Sequence, residues 1–167
     1  MVSHCLKIVR FCRHLSAEII DWPLDADEAQ AWGGRKTPFP VTYEVFINWH
    51  EEPAVQPFVA FEHESPVAYG ELWVDREDEE IELARIIVKP QKREMGIGQT
   101  FVRLLITQAL MLGMKDVYVR VVPHNRTAIH CYESAGFVPV SSREQELYNQ
   151  GQPADYLWLQ YAPSGSQ

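Results

Sequence analysis

The segment Arg93-Glu94-Met95-Gly96-Ile97-Gly98-Gln99 constrains this chain more than any other. It follows a β-branched run, Ile86-Ile87-Val88-Lys89-Pro90, and leads directly into an apolar stretch long enough for a helix. A strand, a short loop with two glycines and a helix N-terminus together make a device for holding pyrophosphate. Glycines let the backbone approach the anion, and the first helix N–H groups point at it where the macrodipole is positive. The spacing is R-x-x-G-x-G, not the G-x-G-x-x-G of a dinucleotide fold or the G-x-x-x-x-G-K-[ST] of a P-loop. That mismatch, with no repeated βαβ units, argues against a dinucleotide-binding oxidoreductase.

A second segment, Pro123-His124-Asn125-Arg126-Thr127-Ala128-Ile129-His130-Cys131-Tyr132-Glu133-Ser134-Ala135-Gly136-Phe137, reads P-x-N-x-x-A-x-x-x-Y-E-x-x-G-F. Together the two segments resemble the GNAT superfamily of acetyl-CoA-dependent N-acetyltransferases. V-x-P-x-x-R-x-x-G-x-G, from Val88 to Gly98, is similar to the family's acyl-CoA loop, and the asparagine–tyrosine motif to its second cofactor-side helix. The resemblance spans roughly residues 57–160, with one helix and one strand between the motifs.

Composition narrows the classes. A chain of 167 residues suits a single domain with a proper core, taken here as residues 1–162 with a frayed tail at 163–167. A net charge of -8 argues against a nucleic-acid surface, which needs a basic stripe. Three cysteines (Cys5, Cys12, Cys131) without C-x-x-C spacing favour a reducing compartment over a disulfide framework, and leave no zinc or other metal site. No apolar run approaches the ~18 residues of a membrane span, and the N-terminus lacks a signal-type apolar region, so a cytoplasmic location is expected.

Local patterning predicts a strand at 6–11 and helices at 16–22, 25–32 and 42–50, each opened by a capping-type residue. An antiparallel pair at 58–62 and 66–74 and a strand at 81–88 follow. Next come the long helix 96–112, a strand at 117–121, a helix at 125–135, and strands 137–142 and 156–161 joined by a long polar connection. This is an α/β (α+β) chain with a mostly antiparallel mixed sheet flanked by helices, as the resemblance also implies. The resemblance alone adds a splay between the strand before the phosphate loop and the strand after its helix, with the pantetheine arm in the wedge.

Acetyl transfer from a thioester to an amine requires a gripped cofactor, a neutral amine, a stabilised oxyanion and a leaving thiolate. For the grip, the candidates are the backbone N–H groups of Met95, Gly96, Ile97, Gly98 and Gln99. Lys89, Lys92 and Arg93 form a local basic cluster suited either to phosphates or to a solvated turn. Where the family's pattern has glycine and a basic residue, this chain has Glu94 and Met95, and Glu94 is expected to point outward. The resemblance assigns backbone bonds to pantetheine to Ile86 and Val88, the oxyanion to the Val88 N–H, and cofactor contact to Asn125.

Tyr132 is the candidate general acid: its hydroxyl, with a pKa near 10, stays protonated at neutral pH and can donate to sulfur. Asn125 and Tyr132 stand seven residues apart, two turns along one helix face, with the small Ala128 between them. Cys131 reads as a small buried hydrophobe. Glu82 is the leading base, at a position some family members use, and it shares strand parity with Ile86 and Val88 unless a bulge intervenes. The glutamate that other members carry before the asparagine motif is replaced here by Arg120. Glu71 is the second candidate base, and His124 and His130 are outlying ones.

Asp75, Glu77, Asp78, Glu79, Glu80 and Glu82 form an acidic run broken only by Arg76. It is either a solvated face or a rim that steers a cationic amine. Of five tryptophans, Trp22, Trp32 and Trp49 fall in the N-terminal helical region that lines the acceptor side in the family. They are either core or a wall for an ammonium group. The segment 147–151 is expected as a hairpin loop over the acceptor site. The resemblance thus implies acetyl-CoA as co-substrate and a small or exposed protein amine as acceptor, with room for a homodimer. The alternative is a non-catalytic acyl-CoA-binding or regulatory module on the same fold.

Overall fold

The computed structural model describes residues 4–164; the last three residues of the tail expected to fray, 163–167, lie outside them. Seven strands form one sheet: β1 (Leu6–Arg10), β2 (Val55–Glu62), β3 (Ser65–Asp75), β4 (Glu80–Val88), β5 (Asp116–Val121), β6 (Phe137–Pro139) and β7 (Leu157–Tyr161). Their order is β1-β2-β3-β4-β5-β7-β6. The β4–β5 pair is parallel and the other neighbours are antiparallel, the expected mixed sheet.

Three short helices, α1 (Ser16–Ile19), α2 (Ala26–Gly33) and α3 (Tyr43–Asn48), separate β1 from β2. The long helix α4 (Ile97–Met111) links the parallel strands, and α5 (Arg126–Ser134) leads into β6. The first helix is shorter than the expected 16–22 and has no side-chain cap, whereas the sequence signals at α2 and α3 correspond to real caps. The Asp25 side chain accepts from the Glu28 N–H, and Thr42 Oγ1 accepts from the Val45 N–H. No helix among the described residues is long and apolar enough to cross a membrane.

One element was missed. The polar connection expected between the last two strands contains α6 (Ser142–Asn149), and β6 is correspondingly short. Ser141 starts this helix with a capping box, its hydroxyl accepting from the Glu144 N–H while the Glu144 carboxylate accepts from the Ser141 N–H. The S-x-x-E signature was present in the sequence. A polar helix without an apolar stripe hid it.

Each face of the sheet carries its own core. Phe101, Val102, Leu105 and Ile106 of α4 and Ile129 of α5 pack on Leu72, Leu83, Val117 and Val119. On the other face, Ile19, Trp22, Trp32 and Phe46 pack on Val59, Tyr69 and Ile87. Trp22 and Trp32 are therefore core, 3% and 6% exposed, and Trp49 packs on the same cluster. None of the three lines an open acceptor wall.

The register of β4 changes at a bulge. Tyr69 pairs with Ile87 but Glu71 with Ala84, so Arg85 and Ile86 together oppose Gly70. Arg85 has left-handed backbone, φ 47°. Ile81 and Leu83 before the bulge and Ile86 and Val88 after it all meet the α4 core. The bulge thus reverses parity, and Glu82 lies on the face opposite Ile86 and Val88, contrary to the simple alternation expected.

A buried polar network sits at this bulge. The Glu71 carboxylate, wholly buried, accepts from the Tyr69 hydroxyl at 2.7 Å, the Trp73 indole at 2.8 Å and Arg85 Nη1 at 3.0 Å. The Arg85 guanidinium also stacks on Trp49, 4.2 Å from the ring centre, and its backbone carbonyl accepts from the Trp32 indole at 2.8 Å. His50 Nε2 meets the Tyr69 hydroxyl at 2.7 Å, and burial lowers the imidazole pKa to about 4, so it stays neutral at ordinary pH. Glu71 is thus a buried carboxylate held by three donors, the arrangement of a structural group.

Removing one partner of a buried ion pair typically costs ~3–5 kcal/mol, because the other is left uncompensated. Arg85→Met is expected to lose stability of that order at pH 8, measured by urea unfolding. Burial already raises the Glu71 pKa and Arg85 opposes that rise. In the variant the folded-state pKa climbs further above its unfolded value, so the deficit shrinks as pH falls toward 5 and grows as pH rises through the folded pKa. A deficit of equal size at both pH values would contradict this account.

Candidate active site

The site is a fork in the sheet. β4 pairs with β5 only from Glu80 opposite Asp116 to Leu83 opposite Val119. Beyond Leu83, β4 continues on β3, ending with Val88 opposite Ala68, while Arg120 and Val121 continue on β7 opposite Trp158 and Leu157. The splay that the sequence resemblance implied is therefore present, and the bulge at Arg85 lies on the diverging limb of β4.

At the tip of that limb the chain makes a short 3-10 turn, Pro90–Lys92, and passes through Glu94 and Gly96 in left-handed conformation, φ 62° and 83°, before α4 begins. α2, α3, α5 and α6 all have a side chain capping the first turn, whereas α4 starts from Gly96 with none. The N–H groups of Ile97, Gly98 and Gln99 have no intrahelical acceptor. Together they make a cradle for an anion. Gly98 sits in the gap between the end of β4 and α5, where an added Cβ would lie 3.7 Å from Val88 Cγ2 and 3.9 Å from Cys131 Sγ.

The basic cluster around the loop is used inward. Arg93 donates from Nε to the Val88 carbonyl at 3.0 Å, from Nη1 to Glu28 at 2.8 Å and from Nη2 to the Trp22 carbonyl at 3.1 Å. Lys89 pairs with Glu18 at 2.8 Å and Lys92 with Glu62 at 2.6 Å. These side chains brace the loop against the N-terminal helices and β2. Asn125 caps α5, its Oδ1 accepting from the Ala128 N–H at 3.2 Å. Glu94 is exposed, as expected.

Tyr132 packs on the α4-side core with its ring 6.0 Å from Phe137. Burial, with smaller contributions from Cys131 and the nearby Glu82 charge, raises its pKa well above the ordinary tyrosine value. The hydroxyl is a proton donor at any physiological pH. Burial likewise pushes the neighbouring Cys131 thiol up to about 11, which keeps it an inert thiol.

Glu82 stands just before the fork, directly across from Trp73 on β3 and Tyr118 on β5. Its Oε1 lies 2.8 Å from Nε of Arg120. Burial pushes the Glu82 pKa up to about 7, with Arg120 pulling it down. A carboxylate that titrates near neutrality can take and release protons at working pH.

Glu82 opens into a groove of ≈ 570 Å³ walled by Trp73, Tyr118, Tyr148 and Trp158 and edged by Asp75 and Glu80. Two residues further from the fork, Asp75, Glu80 and Asp116 stand abreast on β3, β4 and β5. Like charges directly opposite on adjacent strands are unfavourable. The Glu80 pKa is raised by burial first and then by Asp78, Asp116 and Asp75. The expected acidic, aromatic wall exists, but Trp73 and Trp158 build it together with Tyr148 of the unforeseen α6.

The Acetyltransferase (GNAT) family model matches residues 16–137 of the sequence. This chain belongs to the GNAT acetyltransferase family. No curated protein sequence matches it significantly. Among solved structures of similar fold is the aminoglycoside acetyltransferase AAC(6')-Ib in complex with coenzyme A, with TM-score 0.76, 16% identity and 94% of each chain covered. Another is the spermidine N-acetyltransferase from Vibrio cholerae in complex with CoA and spermine, with TM-score 0.70, 18% identity and 81% and 82% coverage of this chain and that one.

Against the GNAT loop pattern, the backbone explains the odd residue. Glu94 occupies a place where the pattern carries glycine, and it has adopted the left-handed φ of 62° that glycine adopts freely. Glu94→Gly is expected to stabilise the fold by about 1 kcal/mol by relieving that conformation, read as a higher urea midpoint. An unchanged or lower midpoint would count against backbone strain at the loop.

Proposed function

We propose that this GNAT member transfers an acetyl group from acetyl-CoA to the amino nitrogen of a small cationic amine, by direct attack without an acyl-enzyme. The observation that carries the reading is the fork itself. It is flanked by an uncapped helix N-terminus and lies between a carboxylate titrating near neutrality and a tyrosine that stays protonated. Solved structures of the same fold that hold coenzyme A support the choice of co-substrate. The cradle at Gly98, bounded by Val88 and Cys131 with no side chain of its own, fits a pantetheine and diphosphate passing close to backbone.

Acetyl-CoA supplies an activated thioester carbonyl. The N–H groups from Met95 to Gln99 bind its diphosphate, and Ile86 and Val88 offer backbone bonds along the open limb of β4. The Val88 N–H stabilises the oxyanion. Glu82 takes the proton from the incoming ammonium, directly or through a water, so that nitrogen can attack. Tyr132 donates its hydroxyl proton as the carbon–sulfur bond breaks. Arg93, Lys89 and Lys92 hold the loop in place, and Asn125 fixes the start of α5 beneath Tyr132. The acceptor enters along the groove, where Asp75 and Glu80 favour a second positive charge away from the reacting nitrogen.

An assay of thiol release from acetyl-CoA over a panel of monoamines and diamines tests the activity, with diamines turning over faster. No release with any amine would favour a non-catalytic acyl-CoA-binding module instead. The base must be ionised to act, so kcat/KM is expected to fall as pH drops below about 7, the pKa to which burial raises Glu82. Glu82→Gln keeps the shape but cannot take the proton, and should flatten this limb most with the most basic acceptors; identical profiles would remove Glu82 from the mechanism. Tyr132→Phe should lower kcat about 100-fold with little change in KM for acetyl-CoA. Wild-type kcat in a variant whose chemical step limits the rate would exclude Tyr132 as the acid.

A further inference from the structure

We propose that Arg120 is a positioning residue for Glu82, aiming its carboxylate into the fork from a guanidinium that three aromatic rings and Gln152 hold fixed. The inference rests on the reading of Glu82 as the base. Arg120 occupies the crotch of the fork, one residue beyond the last β4–β5 pair at Val119. Its Nε lies 2.8 Å from Glu82 Oε1, and its Nη1 donates to Gln152 Oε1 at 2.6 Å. The guanidinium carbon stands 5.5 Å from the ring centre of Trp73 and 5.3 Å from those of Tyr156 and Trp158.

That cage is itself tied down. Asn149 at the end of α6 accepts from the Trp158 indole at 3.1 Å and donates to the Tyr156 carbonyl at 2.9 Å. Arginine suits the place because its planar cation is permanently charged and stacks on aromatic faces. The pair closes through Nε and Oε1 at 2.8 Å, and we assign Oε2 to the proton. A side-on fork-to-fork pair would engage both oxygens.

The groups around Glu82 are Trp73 from β3 and Tyr118 and Arg120 from β5, with Asp75, Arg76 and Tyr148 lining the same groove and Glu80 two residues away on its own strand. Of these, Arg120 is the cation paired with Glu82. Burial drives the Glu82 carboxyl toward its neutral form, and Arg120 opposes it by charge and by hydrogen bonding. Without that guanidinium the base would be protonated through the neutral range. An adjacent opposite charge commonly changes a carboxyl pKa by about one to three.

The test pairs kcat/KM–pH profiles with a carboxyl-carbon NMR titration of Glu82, in the wild type, Arg120→Met, Arg120→Lys and Glu82→Gln. Circular dichroism and thermal melts establish folding. Arg120→Met should move the NMR midpoint and the acidic limb upward together by about one pH unit or more. Activity at pH 7 then falls about fivefold or more and recovers at alkaline pH, while Arg120→Lys lies between. A folded Arg120→Met with both midpoints unchanged, or with an equal loss at every pH, overturns the proposal. Should Arg120→Met not fold, Arg120→Lys and Gln152→Leu carry the same test, since each loosens the contact without leaving Glu82 wholly unpaired. Unmoved midpoints in both overturn it. If Glu82→Gln retains the wild-type limb, the base assignment has failed and this proposal with it. The NMR midpoints then identify that failure, by showing that Arg120 still governs Glu82 ionisation.

Discussion

The buried pair between Glu71 and Arg85 determines where β4 leaves β5. Arg85 acts with its whole length: its backbone forms the left-handed step of the bulge, its carbonyl receives the Trp32 indole, and its guanidinium joins Glu71 under Trp49. The same residue therefore holds both the register change and the helices above it. Opposite it, Gly70 must be small, because a Cβ there would come within 3.0 Å of Phe101 and Leu105 on α4. The bulge is thus clamped from both faces of the sheet, and the direction of the Val88 limb, the anion loop and the start of α4 all follow from it.

Charge is distributed unevenly around the fork. On the loop side, three cations pair with Glu18, Glu28 and Glu62 from α1, α2 and β2. Each such partly exposed pair contributes little stability by itself, but they join three separate segments to one short loop. On the groove side, carboxylates crowd one another, and burial followed by these acidic neighbours raises the Glu80 pKa. With Lys89, Lys92 and Arg93 so paired, the backbone dipoles at the start of α4 are left to meet an anion.

Much of this was legible in the sequence because it depends on local chemistry. The loop glycines, the caps at Asp25, Thr42 and Asn125, and the period-two run through Val117, Val119 and Val121 each specify their own backbone. The bulge was not legible, since nothing local distinguishes Arg85 from its neighbours; its conformation is imposed by Glu71 and Trp49, distant in sequence. For the same reason parity misplaced Glu82 relative to Ile86, and the three N-terminal tryptophans were indistinguishable from wall residues until their burial was seen. Arg120 was visible only as a departure from the family's pattern. Its partnership with Glu82 needed two strands that no pattern in either one brings together. The capping box of α6 was readable, and its lack of an apolar stripe concealed it.

That helix also separates two kinds of change. The anion loop, Gly98, Asn125 and Tyr132 all come from residues 93–132, whereas Tyr148 and the supports of Trp158 come from the excursion between β6 and β7. α6 is tied mainly to its own neighbourhood: Gln145 and Asn149 bond back to Tyr156 and Trp158, and Tyr148 meets Tyr118 of β5. A substitution, insertion or deletion in this excursion can reshape the groove wall while the thioester side stays untouched. Lineages carrying this architecture thus have a region in which acceptor preference can drift under selection, provided that Asn149, Gln152 and Tyr156 go on holding Arg120 beside Glu82.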